Sequence, residues 1–155
     1  MTFKGIDNQT VEFKIINYQY PDINDGDQDG NWLNIYLNVK SKLGHWHTVD
    51  PSLTIREVNE LINWFETLSK NSRPEYADMR FTEPNLSFEL LNDFNADKKI
   101  FRIKFNVESR PQSATNDKEY FVDVVADNDE LKNISTEIKR ELDKYPERKP
   151  AHNSP

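Results

Sequence analysis

Two amphipathic helices are the clearest elements in the hydrophobic pattern of the chain. Thr54 and Glu57 form a capping-box pair that predicts a helix start. The apolar residues that follow recur at three- and four-residue spacing, so they share one helix face: Ile55, Val58, Leu61, Ile62, Phe65 and Leu68. Asp127 and Glu130 repeat the capping pattern before a second stripe, which Pro146 ends: Leu131, Ile134, Ile138, Leu142 and Tyr145.

Strict alternation of apolar and polar residues predicts β-strands in the rest of the chain. The pattern is clearest at residues 33–40, and residues 11–15 and 101–107 repeat it. Shorter runs predict strands at residues 1–5, 45–49, 79–82, 86–91 and 120–126. We therefore predict an α+β fold with a mainly antiparallel sheet and two amphipathic helices packed on it. Residues 1–146 are expected to form a single domain, and the proline-rich residues 147–155 a flexible C-terminal tail.

Composition and charge narrow the class of protein. The chain has 155 residues, no cysteine and a formal net charge of −7. Without cysteine there is no disulfide, thiolate nucleophile or cysteine-based metal site, and a reducing, cytoplasmic location is expected. No signal peptide or membrane span is predicted. Because nucleic-acid affinity depends on Lys and Arg, the acidic balance predicts no direct nucleic-acid binding and favours a basic protein partner. The oligomeric state stays open.

The segment DINDGDQDGN at residues 22–31 carries four aspartates: Asp22, Asp25, Asp27 and Asp29. Its polarity and glycines predict a solvated loop. Asp25, Asp27, Asp29 and Gly30 also match the opening of an EF-hand, although Tyr36 stands where a bidentate Glu is required and the flanks are predicted strands. A calcium site is therefore one alternative, and an acidic contact surface for a basic partner is another.

Other candidate chemistry is sparse. His45 and His47 lie on one face of a predicted strand and could share a metal, but no third ligand follows nearby. The usual catalytic motifs are absent, so an acid–base pair would have to come from scattered carboxylates: Asp50, Glu83, Glu89, Glu108 and Asp123. We predict that the chain is not an enzyme, with no catalytic residue, no cofactor and no metal.

Several segments together resemble a known family. They are NWLN at residues 31–34 after the acidic loop, Trp46 after a glycine turn, DPSLT at 50–54, ELINW at 60–64, FTEPNLSFE at 81–89 and SRP at 109–111. This pattern resembles the WapI family of immunity proteins, and the similarity runs from about Phe13 to Tyr145. The recognisable motif residues are Trp32, Asp50, Pro51, Trp64, Glu83 and Pro84.

The resemblance implies a bacterial cytoplasmic protein that neutralises the toxic C-terminal domain of a contact-dependent toxin by binding it. In the type system of the family the toxin degrades tRNA, so a basic nuclease domain is the expected partner. The resemblance does not map the interface. We predict that Asp22, Asp25, Asp27 and Asp29 bind the partner, because exposed carboxylates steer an acidic protein toward a basic one. The rival hypothesis is a calcium- or metal-binding module.

Overall fold

The computed structural model describes residues 1–23 and 28–149 of the chain. Its first sheet contains four antiparallel strands that neighbour one another in sequence order. Each strand pairs with the next: β1 Thr2–Lys4, β2 Thr10–Tyr18, β3 Trp32–Ser41 and β4 Gly44–Thr54. The turn between β3 and β4 is tight, and Gly44 adopts a φ of 134°, which side-chain-bearing residues rarely reach.

A second four-stranded antiparallel sheet follows the first helix, again in sequence order. Its strands are β5 Asp78–Met79, β6 Leu86–Leu90, β7 Lys98–Phe105 and β8 Tyr120–Asp127. Helix α1 (Ile55–Ser69) leaves β4, and helix α2 (Asn128–Leu142) leaves β8. Each half of the chain is thus a run of antiparallel strands that ends in a helix, and the two helices pack against each other.

One hydrophobic core joins both sheets and both helices. The ring of Phe3 on β1 lies 5.9 Å from Phe65 of α1 and 5.9 Å from Phe88 of the second sheet. Trp46 on β4 makes an edge contact with Phe105 on β7, with 5.7 Å between the ring centres. Because aromatic side chains bury large areas, these contacts between the two sheets are a major source of stability.

The structure confirms the α+β class, the antiparallel pairing and the two packed helices, and it divides the strands into two sheets. Both predicted caps are present: Thr54 accepts from the Glu57 amide, and Asp127 accepts from the Glu130 amide. The strand predicted at residues 79–82 is shorter, since β5 comprises only Asp78–Met79. Neither helix in the described part of the chain has the length and apolar composition needed to cross a membrane.

Candidate functional site

A cluster of four buried residues and the half-buried Asp50 joins the two sheets, and we call it the seam: Trp46, Asp50, Ser52, Asn85 and Ser109. The side-chain amide of Asn85 donates to Oδ2 of Asp50 at 2.6 Å and to Oγ of Ser52 at 3.3 Å. The hydroxyl of Ser109 donates to the carbonyl of Asn85, and the indole N–H of Trp46 donates to the carbonyl of Ser109 at 2.9 Å. Buried polar groups are thereby satisfied across the two sheets.

The electrostatics of the seam centre on Asp50. Burial raises the pKa of the Asp50 carboxyl above its ordinary value of 3.8, and the negative charges of Glu108 and Glu83 raise it further. The hydrogen bond from Asn85 opposes this shift. Asp50 is therefore a carboxylate held by a structural donor. None of the described cavities has Asp50 in its lining.

The other carboxylates considered for acid–base chemistry divide into two groups. Glu89 pairs with Lys104 at 2.6 Å, and Asp123 pairs with Arg102 through two hydrogen bonds of 2.8 and 3.0 Å. That pairing raises the pKa of the Arg102 guanidinium, so Arg102 keeps its positive charge across the physiological range. Glu83 and Glu108 are exposed near the seam. The five carboxylates thus do not converge on one pocket.

Arg148 contacts the described residues on both sides of residues 24–27 in the acidic loop. The Arg148 guanidinium lies over the Tyr18 ring at 3.6 Å and donates to the carbonyls of Tyr20, Pro21 and Ile23. The backbone of Arg148 also exchanges two hydrogen bonds with the Asn31 side chain, at 2.9 and 3.0 Å. Cation–π contact and charge-assisted donors both stabilise this arrangement. Arg148 therefore lies against the described ends of the loop.

The structure places only part of the predicted partner-binding set. Asp22 and Asp29 are exposed on either side of residues 24–27, and Asp29 lies in a 3-10 turn at Gln28–Asn31. Asp25 and Asp27 lie outside the described residues, so the predicted calcium site and the complete acidic surface stay predictions. The loop does connect two strands, β2 and β3, whereas an EF-hand requires helices on both sides.

His45 and His47 were the alternative candidates for a metal site. His45 and His47 are exposed on β4, where a ring nitrogen of His45 lies 2.9 Å from Oδ1 of Asn38 and His47 faces the Tyr36 ring. Within residues 1–23 and 28–149, no three His, Cys, Asp or Glu side chains are grouped so that they could hold a metal ion. His45 and His47 therefore lack a third ligand in that part of the chain.

Lys99 is a buried cation that the sequence analysis did not identify. It is fully buried, and its ammonium group donates to the side-chain oxygens of Asn71 and Asn128. Burial lowers the pKa of the Lys99 ammonium, and the charge of Asp97 partly offsets the shift. Asn71 follows α1 and Asn128 opens α2, so Lys99 links the end of one helix to the start of the other.

The comparison with protein families decides the assignment. The model of the immunity protein WapI-like family matches residues 2–146. The chain belongs to this family. No curated protein and no solved structure matches the chain significantly. The resemblance found in the sequence motifs is therefore confirmed.

The motif residues of this WapI-like protein mainly stabilise its fold. Asp50 lies in the seam, and the indole N–H of Trp64 donates to the Tyr76 carbonyl at 2.8 Å. Trp32 is half-buried and pairs with Thr54, the cap of α1. Glu83 and Pro84 are exposed and lead into the buried Asn85. Because these motif residues have structural roles, they identify the family but do not mark the surface that contacts a partner.

Three features of the site were missed in the sequence analysis: Lys99, Arg148 and the buried state of Asn85. The burial of Lys99 could have been predicted from the sequence pattern, because Lys99 alternates in phase with Phe101, Ile103 and Phe105 on the inward face of β7. No local sequence pattern predicts the contacts of Asn85 and Arg148, since their partners are 35 and about 120 residues away in the chain.

Proposed function

We propose that this WapI-like protein neutralises the toxic C-terminal domain of a contact-dependent toxin by binding it, without catalysis. The observation that carries the proposal is the family match, which extends over residues 2–146. An immunity protein must act on a toxin, and a stable complex is the simplest means of blocking a nuclease domain. The engagement of Asp50, Glu89 and Asp123 by donors of the protein itself favours binding over a carboxylate-based reaction.

The expected partner is a basic nuclease domain, and the acidic loop is the proposed contact. Asp22 and Asp29 are exposed, and the chain carries a net charge of −7. Complementary charge raises the rate of association more than it raises affinity. Asp25 and Asp27 complete the acidic set on sequence grounds. The protein itself is proposed to act in the cytoplasm, with no nucleic acid as a direct ligand.

Stoichiometry separates binding from catalysis. The toxin domain encoded next to this chain is purified, and its activity on total RNA is measured while the immunity protein is titrated in. A binding protein abolishes activity at one equivalent, and the complex is recovered by gel filtration. Complete protection at a small fraction of one equivalent would instead indicate an enzyme. Full toxin activity at excess folded protein would refute this pairing.

The acidic loop is tested by charge reversal. Asp22→Lys together with Asp29→Lys should slow association at low salt by roughly tenfold and reduce the salt dependence of the rate. The matched control is Glu119→Lys with Glu137→Lys, which changes the net charge equally at exposed positions outside the loop segment. Equal slowing by both pairs would mean that overall charge, and not the loop, steers the partner.

A further inference from the structure

A groove of ≈ 690 Å³ lies between α1 and the segment at residues 74–80. The helix contributes a polar wall that includes Arg56 and Glu60, and the opposite wall ends at the edge strand β5. Trp64, only 4% exposed, is among the lining residues that join the two walls. The groove therefore runs between an edge strand and a helix, which is where extended peptides add to sheets in β-augmentation.

The side of β5 that faces the groove has an open backbone edge. Within the described part of the chain β5 pairs only with β6, and the Leu90 amide donates to the Ala77 carbonyl at 2.8 Å. Successive residues of an antiparallel strand direct their backbone groups to opposite edges. Asp78, which follows Ala77, therefore directs its N–H and C=O away from β6 and toward the side of the strand on which α1 lies.

Two hydrogen bonds hold the walls of the groove in place. The Tyr76 carbonyl accepts from the indole N–H of Trp64 at 2.8 Å, and the Thr82 amide donates to the Glu57 carboxylate at 2.9 Å. These bonds fix both ends of the segment to α1 and leave Asp78 between them. Because the walls are already positioned, a ligand need not order them on binding, which reduces the entropy that binding costs.

Asp78 also carries an acceptor that needs a donor. Its Oδ2 accepts from Arg80 at 2.9 to 3.0 Å, whereas its Oδ1 is buried and has no hydrogen-bond partner among residues 1–23 and 28–149. A buried acceptor without a partner is unfavourable and unusual in folded proteins. A donor on a bound segment would satisfy it after a small movement of the side chain. The groove thus presents the open backbone edge of Asp78, and rotation of the Asp78 side chain would expose a second acceptor.

The remaining lining side chains are of the types that dominate protein interfaces. Tyr76 is 61% exposed, and it lines the groove together with Trp64 and Met79. Both arginines are already paired, Arg56 with Glu60 at 3.4 Å and Arg80 with Asp78. Glu75 makes no ion pair with the described residues. The net charge of the side chains that line the groove is therefore negative.

We propose that this groove binds an extended segment of the toxin domain, which adds as a short strand to β5 and places a basic side chain against Glu75. This inference rests on the proposed function, because it takes the partner to be the toxin. The acidic loop ends next to Trp32, and Trp32 pairs with Thr54 at the start of α1. The loop and the Arg56 end of the groove thus lie toward the same end of the first sheet, where one partner contacts both.

The affinity test uses the purified toxin domain encoded next to this chain and three single variants. Tyr76→Ala removes the exposed ring, and Glu75→Lys reverses the unpaired charge. Each should weaken the equilibrium affinity by roughly tenfold or more, the effect typical of interface anchors. Glu119→Lys is the matched control for charge and should stay within about twofold. Thermal unfolding confirms that the variants fold, which is expected because Tyr76 and Glu75 are exposed.

Hydrogen exchange by NMR tests the strand addition itself. The Asp78 amide should exchange at least about tenfold more slowly in the complex than in the free protein, because a new backbone partner protects it. If the wild type binds but both variants and the Asp78 amide behave as in the controls, the groove proposal is wrong and the proposed function stands. If the folded wild type does not bind the toxin at all, both proposals fail for this pairing.

Discussion

Asn85 and Asp50 meet across the two sheets, with 2.6 Å between the Asn85 side-chain nitrogen and Oδ2 of Asp50. Asn85 is 1% exposed, so its amide has no access to water in place of this partner. Burial raises the pKa of the Asp50 carboxyl, and the negative charges of Glu108 and Glu83 raise it further. The contact therefore ties a segment of the first sheet to the turn that precedes β6, and two family motifs meet at it.

Replacing Asn85 should weaken the fold. Asn85→Ala leaves Asp50 and Ser52 without their donor, and we expect the free energy of unfolding to fall by about 2–3 kcal/mol. Urea denaturation measures the change. Asn133→Ala on the exposed face of α2 is the control and should alter stability by no more than about 0.5 kcal/mol. Equal losses in the two variants would mean that the seam contributes nothing specific.

The Asp50 carboxyl should leave a pH signature. Its pKa is raised in the folded state, so the folded protein holds this proton more tightly than the unfolded chain does. The contribution of Asp50 to stability is complete below its ordinary pKa of 3.8 and is lost as pH rises through the folded pKa. Asp50→Asn does not titrate there. Its stability relative to wild type should therefore increase as pH rises through this window, which urea titrations at successive pH values will measure; a decrease would contradict the raised pKa.

Asn71 has two roles that two substitutions can separate. Its φ is 55°, in the left-handed region, and its side-chain oxygen accepts from Lys99. Asn71→Gly keeps the backbone conformation but loses the acceptor, and should cost about 1.5–3 kcal/mol. Asn71→Ala loses both and should cost roughly 1 kcal/mol more. Denaturation of both variants tests this, and equal stabilities would show that the backbone conformation carries no penalty.

Arg148 should control local opening of the acidic loop. Arg148→Ala removes the donors to Tyr20, Pro21 and Ile23, so the Ile23 amide, which donates to the Tyr20 carbonyl, should exchange roughly tenfold faster. Arg148→Lys should recover only part of the protection, since a lysine lacks the planar fork of donors. Lys149→Ala, at an exposed neighbour, is the control. Unchanged exchange in Arg148→Ala would mean that other contacts hold the loop.

The features that the sequence predicted well are those with local causes. The start of α1 follows from Thr54 and Glu57, three residues apart, and its buried face follows from the spacing of Ile55, Val58 and Leu61. The strand β3 likewise shows its buried face by alternation alone. The division into two sheets could not be predicted in this way, because alternation fixes which face of a strand is buried but not which strand pairs with it.

The candidate sites were less predictable, since they depend on contacts between distant residues. The seam brings Asp50 to Asn85, and the loop contact brings Arg148 to Tyr20, and neither pair lies within one helix turn or strand repeat. The groove depends on how α1 lies along β5, which no periodicity encodes. The aspartates of the loop could be identified in the sequence, whereas the open edge at Asp78 depends on the register of β5 and β6.

The position of Phe3 has a consequence for synthesis on the ribosome. Its ring packs on Phe65, Phe88 and Phe101, the last at 6.1 Å. At roughly 5–20 residues per second, Phe101 is made about 5–20 s after Phe3. Until then the packing site for the Phe3 ring is incomplete, and once Phe3 has left the ribosome its ring is available to chaperones or to other nascent chains. Closure of the core around Phe3 therefore waits until Phe101 has been made.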